Sequence, residues 1–208
     1  MKVEKLENIK LYNADCMDVM KDIPDKYFEL AIVDPPYGIN IETSGTYFKK
    51  LGKAKGWDNE IPTPEYFAEL KRVSQNQIVW GGNYFLEHLG SAKCFLIWDK
   101  MIGEGMSFAD GELAWTSFKK PTRIKQILSR SVNGKIHPTE KPIQLYKWLL
   151  KNYAKQGDKI LDTHFGSLSI GIACHDLGFE LTACELDKDY YEAGKKRLIN
   201  HQKQLTIF

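Results

Sequence analysis

The last quarter of the chain constrains the fold most. "DKILDTHFG" (158–166) reads as a strand entering a glycine turn, and "SLSIGIACHDLG" (167–178) as a helix stopped by Gly178. "FELTACELD" (179–187) reads as a second strand, and "KDYYEAGKKRLINHQ" (188–202) as a second helix. Strand, helix, strand, helix sets the two strands parallel, joined by a right-handed crossover. Parallel strands are covered on both faces, so the pattern predicts an α/β fold, mostly parallel, with helices on each side of the sheet. Ligands of such sheets sit beyond the carboxyl ends of the strands. Two such ends carry suggestive residues: the turn Asp162–Ser167, "DTHFGS", and Glu185. A glycine in the turn lets a ligand approach the backbone, and a carboxylate on the next strand can accept both hydroxyls of a ribose. Gly166 and Glu185 have the nineteen-residue separation this needs. A plain structural turn explains the same residues, and no GxGxxG is present.

Upstream, strands are predicted at 9–13, 28–33, 76–82, 93–98 and 112–118, and helices at 16–22, 64–73 and 141–155. Ile143, Tyr146, Leu149, Leu150 and Tyr153 form the apolar stripe of the last helix. The 208 residues suit one domain. Residues 38–62 read as a long mobile loop and 119–136 as a basic, irregular stretch.

Charge is unevenly spread. Residues 43–57 hold Lys49, Lys50, Lys53 and Lys55 with no acid, and 113–139 hold Lys119, Lys120, Arg123, Lys125, Arg130 and Lys135 with no acid. With ten of the 29 basic residues in these stretches, the remainder is acidic on balance. Two solvated loops would account for this; a polyanion such as nucleic acid is the sharper reading. Cys16, Cys94, Cys174 and Cys184 form no CxxC pair and no histidine lies in a ligand-like spacing, so no metal is expected. Free thiols, the lack of an apolar signal core and the lack of a membrane-length apolar run point to the cytoplasm, with no membrane partner.

"ELAIVDPPYGIN" (29–40) ends a buried strand in Asp34-Pro35-Pro36-Tyr37. That motif resembles the catalytic motif of the DNA amino-methyltransferases, which use S-adenosylmethionine. "HPTEKP" (137–142) resembles a second motif of the family, and "ILDTHFGS" with "TACELDKDYYEAGKKRL" resembles its cofactor segment. Catalytic motif first and cofactor motif last is the circularly permuted order of the beta group, and small phage and bacterial adenine methyltransferases are the nearest likeness. The match runs from Asp15 to about Leu198. It implies a Rossmann-like methyltransferase fold in a bacterial or phage-infected cytoplasm. The family wording is close to D-P-F-x-G-S-G. Here Thr163, His164 and Leu168 stand in place of its Pro, its Phe and its second Gly. Leu168 is expected to narrow the cofactor pocket or shift the turn, and His164 to be a structural substitute.

The resemblance implies roles by position. Asp34, Pro35, Pro36 and Tyr37 are catalytic. An exocyclic amine is a poor nucleophile because its lone pair is delocalised into the ring. The Asp34 carboxylate and the Pro35 carbonyl accept its hydrogens, and the prolines add no competing N–H. Tyr37 offers a ring to the extruded base, stacking worth roughly 1–3 kcal/mol. Cofactor contacts fall to Asp15, Cys16, Asp34, His137, Thr139, Lys141, Asp162, His164, Phe165, Gly166, Ser167 and Glu185. Asp15 is equally read as a helix N-cap, and Lys141 as a first-turn surface residue. DNA contacts fall to Lys49, Lys50, Lys53, Lys55, Trp57, Lys119, Lys120, Arg123, Lys125 and Arg130, with 101–136 as a small recognition region. The region is small, which suggests a short target or a homodimer. "QLTIF" (Gln204–Phe208) resembles a sliding-clamp motif; loss of clamp pulldown on deleting 204–208 tests it. The reading is adenine-N6 methylation. The alternatives are cytosine-N4 methylation, whose motif more often begins with Ser, and a non-catalytic DNA- or cofactor-binding homologue disabled at Leu168.

Overall fold

In the computed structural model, residues 1–40, 56–102, 109–128, 136–137 and 139–204 are described. In chain order the strands are β1 (Lys2–Leu6), β2 (Ile9–Asn13), β3 (Phe28–Val33), β4 (Ser74–Trp80) and β5 (Cys94–Asp99). They continue with β6 (Gly111–Thr116), β7 (Arg123–Gln126), β8 (Lys159–Asp162) and β9 (Glu180–Glu185). The helices are α1 (Cys16–Met20), α2 (Pro64–Val73), α3 (Leu86–Leu89), α4 (Ile143–Tyr153), α5 (Ser169–Leu177) and α6 (Lys188–Gln202). The sheet order is β1-β2-β9-β8-β3-β4-β6-β5-β7. All strands run one way except β1 and β6, which are antiparallel to their neighbours.

The central strand β3 is apolar throughout because both its faces are covered. Leu30 and Ile32 pack with Leu145, Leu149, Ile170, Ile172 and Leu198 of α4, α5 and α6. Ala31 and Val33 pack with Val19, Met20, Tyr66, Phe67 and Leu70 of α1 and α2. Each buried Leu or Ile contributes roughly 1.5–3 kcal/mol. Local chemistry fixes where helices begin. Asp15 caps α1 by accepting the Met17 N–H at 2.8 Å, Pro64 sits at the first turn of α2, and Asp187 caps α6 by accepting the Asp189 and Tyr190 N–H groups.

The expected elements and the mostly parallel sheet are present. Two strands were not anticipated, β1 and β7, the outermost in the sheet. An edge strand needs only one neighbour, so neither carries the apolar run that marks a central one. The stripe of α4 buries Leu145 in addition to Tyr146, Leu149 and Leu150, while Ile143 and Tyr153 are only partly covered. Trp98 and Trp115 are core residues. Among the described residues no helix is long and apolar enough to cross a membrane.

The sheet direction sorts the connections. The ends of β2, β3, β4, β5, β7, β8 and β9 share one rim with the start of the reversed β6. Lys119 and Lys120 lie between the end of β6 and the start of β7, on the opposite rim, where Lys120 Nζ donates to the Asn152 carbonyl of α4 at 3.0 Å. Lys49, Lys50, Lys53, Lys55, Arg130 and Leu205–Phe208 lie outside the described residues.

Candidate functional site

A cavity of about 440 Å³ opens at the carboxyl rim, within the size range of small-molecule sites. Asp34, Pro35, Pro36 and Tyr37 from the end of β3 line it, as do Asp15 and Cys16 from the start of α1. His137, Thr139 and Lys141 approach from the segment before α4, His164, Phe165, Gly166 and Ser167 from the turn after β8, and Glu185 from the end of β9. The sequence motifs thus converge on one continuous space. Trp57, expected at DNA, is also part of this wall, with its ring 5.0 Å from that of His137.

Three expectations need correction. Asp162 does not line the cavity. It is 2% exposed, lies behind the wall, and accepts the His164 N–H at 3.0 Å, which shapes the turn. Leu168 does not narrow the cavity either. Its φ is +58°, the left-handed conformation that suits glycine, and its side chain is fully buried. Room for it comes from Gly171, where a β-carbon would stand 2.7 Å from Leu168 Cγ. Leucine thus takes the left-handed conformation that glycine adopts most readily and adds core packing. Lys141 is not a surface residue: its side chain is 1% exposed.

At the catalytic end both Asp34 oxygens are engaged. Oδ2 lies 2.5 Å from Lys141 Nζ, and Oδ1 accepts the Tyr37 hydroxyl at 2.6 Å. Each oxygen retains a second lone pair. Burial pushes the Asp34 carboxyl above its ordinary value, against the pull of Lys141. Asp58 Oδ1 accepts the N–H of Tyr37 at 2.7 Å and of Gly38 at 3.1 Å, which fixes the turn after the prolines. The Tyr37 ring stacks on Tyr84, centroids 5.2 Å apart and 20° from parallel. It also lies so close to Gly81 that any β-carbon there would overlap it. A second acid, Glu112 at the start of β6, reaches Lys141 Nζ at 2.9 Å and Lys100 Nζ at 3.0 Å.

At the cofactor end Glu185 accepts two backbone N–H groups, Gly166 and Asp187, each at 2.9 Å. Burial pushes its carboxyl up to about 7, against those bonds. His137 donates to or accepts from Thr139 Oγ1 at 3.1 Å and lies edge-on to Tyr190, and burial holds its ring down to about 3. The turn is tied together by a chain from the Tyr66 hydroxyl to Thr163 Oγ1 (2.7 Å) to His164 Nδ1 (2.9 Å). Burial takes His164 down to about 4, so it is neutral, as a structural residue would be. Arg197 of α6 donates to the Ser167 carbonyl and pairs with Glu140 Oε1 at 3.1 Å, joining this turn to the 136–141 segment. Asp15 both caps α1 and faces the cavity, so the two readings of that residue are compatible. Burial raises the Cys16 thiol to about 12, which leaves it inert.

Glu112, Lys100, Asp58, Tyr66 and Arg197 were missed. In the sequence they are ordinary charged or aromatic residues in unremarked places. No helix is predicted between the strands at 93–98 and 112–118, and that absence of a crossover element was the one signal that β6 could return to the same rim.

A DNA methylase family model matches residues 79–196. The Type II methyltransferase M.HpaI of Haemophilus parainfluenzae is 35% identical over 237 residues, covering 91% of this chain and 74% of that protein. Among solved structures, the M1.HpyAVI–SAM complex aligns with a TM-score of 0.63 at 21% identity, covering 91% of this chain and 98% of that one. PvuII DNA methyltransferase (cytosine-N4-specific) aligns with a TM-score of 0.66 at 12% identity, covering 98% and 89%. At these identities the two structures bear on the fold.

Proposed function

Since the chain belongs to the DNA methylase family, we propose that it methylates the exocyclic N6 amine of adenine in DNA, with S-adenosylmethionine as donor. One observation carries the reading: Asp34 and Pro35 open onto the same cavity as Glu185 and the glycine turn. The donor fits the cofactor end on two counts. Glu185 is a half-buried carboxylate held by backbone N–H groups, with lone pairs left for neutral hydroxyl donors. Gly166 keeps the turn open, since a β-carbon there would meet the His137 ring at 3.3 Å. When bound, S-adenosylmethionine supplies an electrophilic methyl group on a sulfonium.

The chain's own residues supply orientation. Asp34 and the Pro35 carbonyl accept hydrogen bonds from the amine and localise its lone pair. The methylated amine sheds one proton, and Asp34, whose pKa burial raises, is placed to take it. An extruded base meets the ring of Tyr37, which lines the cavity and also stacks on Tyr84. Asp34 at the head of the motif favours adenine over cytosine. The fold does not separate the two, because the cytosine-N4-specific neighbour shares it. The Leu168 side chain, pointing into the core, removes the reason to suppose a disabled homologue.

DNA would approach at the carboxyl rim. The links after Asn40, after Ile102 and after Leu128 all leave from that side, so the basic segment 43–57 and Arg130 remain in the proposed contact surface, with Trp57 beside the cavity. Arg123 and Lys125 lie on β7 at the sheet edge. Incubation with methyl-labelled donor and duplex DNA tests the reading. Label in N6-methyladenine is the expected result. Label in N4-methylcytosine transfers the assignment to the alternative, and no label on DNA sinks it.

A further inference from the structure

Asp34 and Lys141 of the cavity wall continue into a row of four alternating charges, Asp34, Lys141, Glu112 and Lys100, the last two outside the lining. They come from four places, the end of β3, the segment before α4, the start of β6 and the residue after β5, and only the reversal of β6 brings Glu112 among them. Lysine has three donors, and here Asp34 Oδ2 at 2.5 Å, Glu112 Oε2 at 2.9 Å and the Tyr37 hydroxyl at 3.3 Å surround the ammonium. Glu112 Oε2 meets Lys141 as a close ion pair and not as a well-directed hydrogen bond. The ammonium also lies 5.3 Å from the Trp80 ring centre, so its surroundings offer no water-like alternative. Burying an isolated charge is expensive, and a neutral set of four offsets that cost.

We propose that Glu112 is a positioning residue for methyl transfer: through Lys141 it divides one ammonium between two carboxylates and leaves Asp34 a lone pair for the incoming amine. The inference rests on the amino-methyltransferase reading above. Without Glu112, Lys141 has a single carboxylate and closes onto it. Asp34 then meets the amine already neutralised and turned toward the lysine. Lys100 is the outer counter-charge that keeps Glu112 from overloading the set with negative charge.

Direction of titration separates this role from mere support of the fold. Asp34 and Lys141 are faced by Tyr37, Glu112, Lys100, Tyr146 of α4, Asp162 of β8 and His137. Burial and the Glu112 charge both raise Asp34. Burial lowers Lys141, but Asp34 and Glu112 outweigh it and raise it. Removing the Glu112 charge therefore lowers both groups, and removing the Lys100 charge raises both.

The test is the pH profile of kcat on duplex DNA for the wild type, Glu112→Gln, Glu112→Asp and Lys100→Gln. Glu112→Gln is expected to lose about 10- to 100-fold in kcat, with KM for the methyl donor moving much less. Both limbs of its profile move to lower pH. Lys100→Gln moves both limbs to higher pH, and Glu112→Asp recovers part of the lost kcat. Limbs that stay in place in both charge variants overturn the proposal, as does a loss confined to KM. If Glu112→Gln does not fold, Lys100→Gln decides alone by the same criterion. Inactive wild type overturns the amino-methyltransferase reading and this inference with it. Active wild type with unmoved limbs overturns only this inference.

Discussion

The carboxylates at the two ends of the cavity are held in different ways. At the catalytic end Asp34 and Glu112 share the Lys141 ammonium, and Glu112 has Lys100 as well. At the cofactor end Glu185 and Asp162 are held by backbone N–H groups, and among the described residues neither makes an ion pair. Burial moves Glu185 up to about 7 and Asp162 up to about 8. The catalytic end is therefore charge-balanced before any ligand arrives. The cofactor end is left for neutral donors to complete.

The largest test of that contrast is Asp34→Ala. It should cost about 10²- to 10⁴-fold in kcat, because the amine loses its acceptor. Donor affinity by calorimetry should change little; a parallel collapse of both would show that the two ends are not separable. Next is Glu185→Gln, which should weaken donor binding by about 10- to 100-fold, the worth of hydrogen bonds to a charged acceptor. In the wild type, donor affinity should fall as pH drops below about 7, because the protonated acid no longer accepts both hydroxyls. In Glu185→Gln that slope should vanish. Stability of the ligand-free protein has the opposite sign. The folded-state pKa of Glu185 is raised from its ordinary 4.5, so folding loses stability as pH climbs from 4.5 towards about 7, and Asp162 adds to the trend. Because His137 and His164, held down to about 3 and about 4, push the other way, the reading is the difference in urea midpoint between wild type and Glu185→Gln at pH 5 and pH 8, and a wild-type advantage that grows with pH contradicts it.

At Leu168 the expected effect falls on stability and leaves the contrast between the two ends intact. Leu168→Ala loses buried side-chain volume and keeps the strained φ, at a cost of roughly 2–5 kcal/mol. Leu168→Gly loses the same packing but relieves the left-handed strain, so it should be about 1 kcal/mol more stable than the alanine variant. The reverse order in thermal unfolding would show that the strain is not felt. The smallest effect belongs to the far rim. Lys119→Ala and Lys120→Ala should leave DNA affinity and its salt slope unchanged, whereas a true phosphate contact lowers that slope by about 1. Lys120→Ala should cost about 1 kcal/mol of stability, through the lost bond to the Asn152 carbonyl.

What could be read from the sequence was whatever is local. Asp34-Pro35-Pro36-Tyr37, the turn around Gly166 and the carboxylate of Glu185 each sit at a strand end, where a few consecutive residues announce both structure and chemistry. Their convergence followed from one rule about parallel sheets. Glu112 and Lys100 were illegible because their role depends on a strand running backwards, and nothing within six residues of either encodes that. Of the two readings of Lys141 the cavity-facing one stands and the surface one fails, because two distant acids pair with a lysine that at a first helical turn is ordinarily solvated. Asp162 was misplaced by its neighbours, since it supports the turn from behind while the residues after it face the cavity. The edge strands β1 and β7 escaped notice because a strand with one neighbour and little burial needs no apolar signature.

The backward course of β6 has one more corollary. The link between Met101 and Asp110 leaves the sheet and rejoins it on the rim that carries the cavity. Its length can drift without re-registering a core residue, because both of its anchors are already paired along their full length. On the proposed function, divergence in what the 101–136 region contacts on DNA is thereby uncoupled from divergence in how the methyl group is moved.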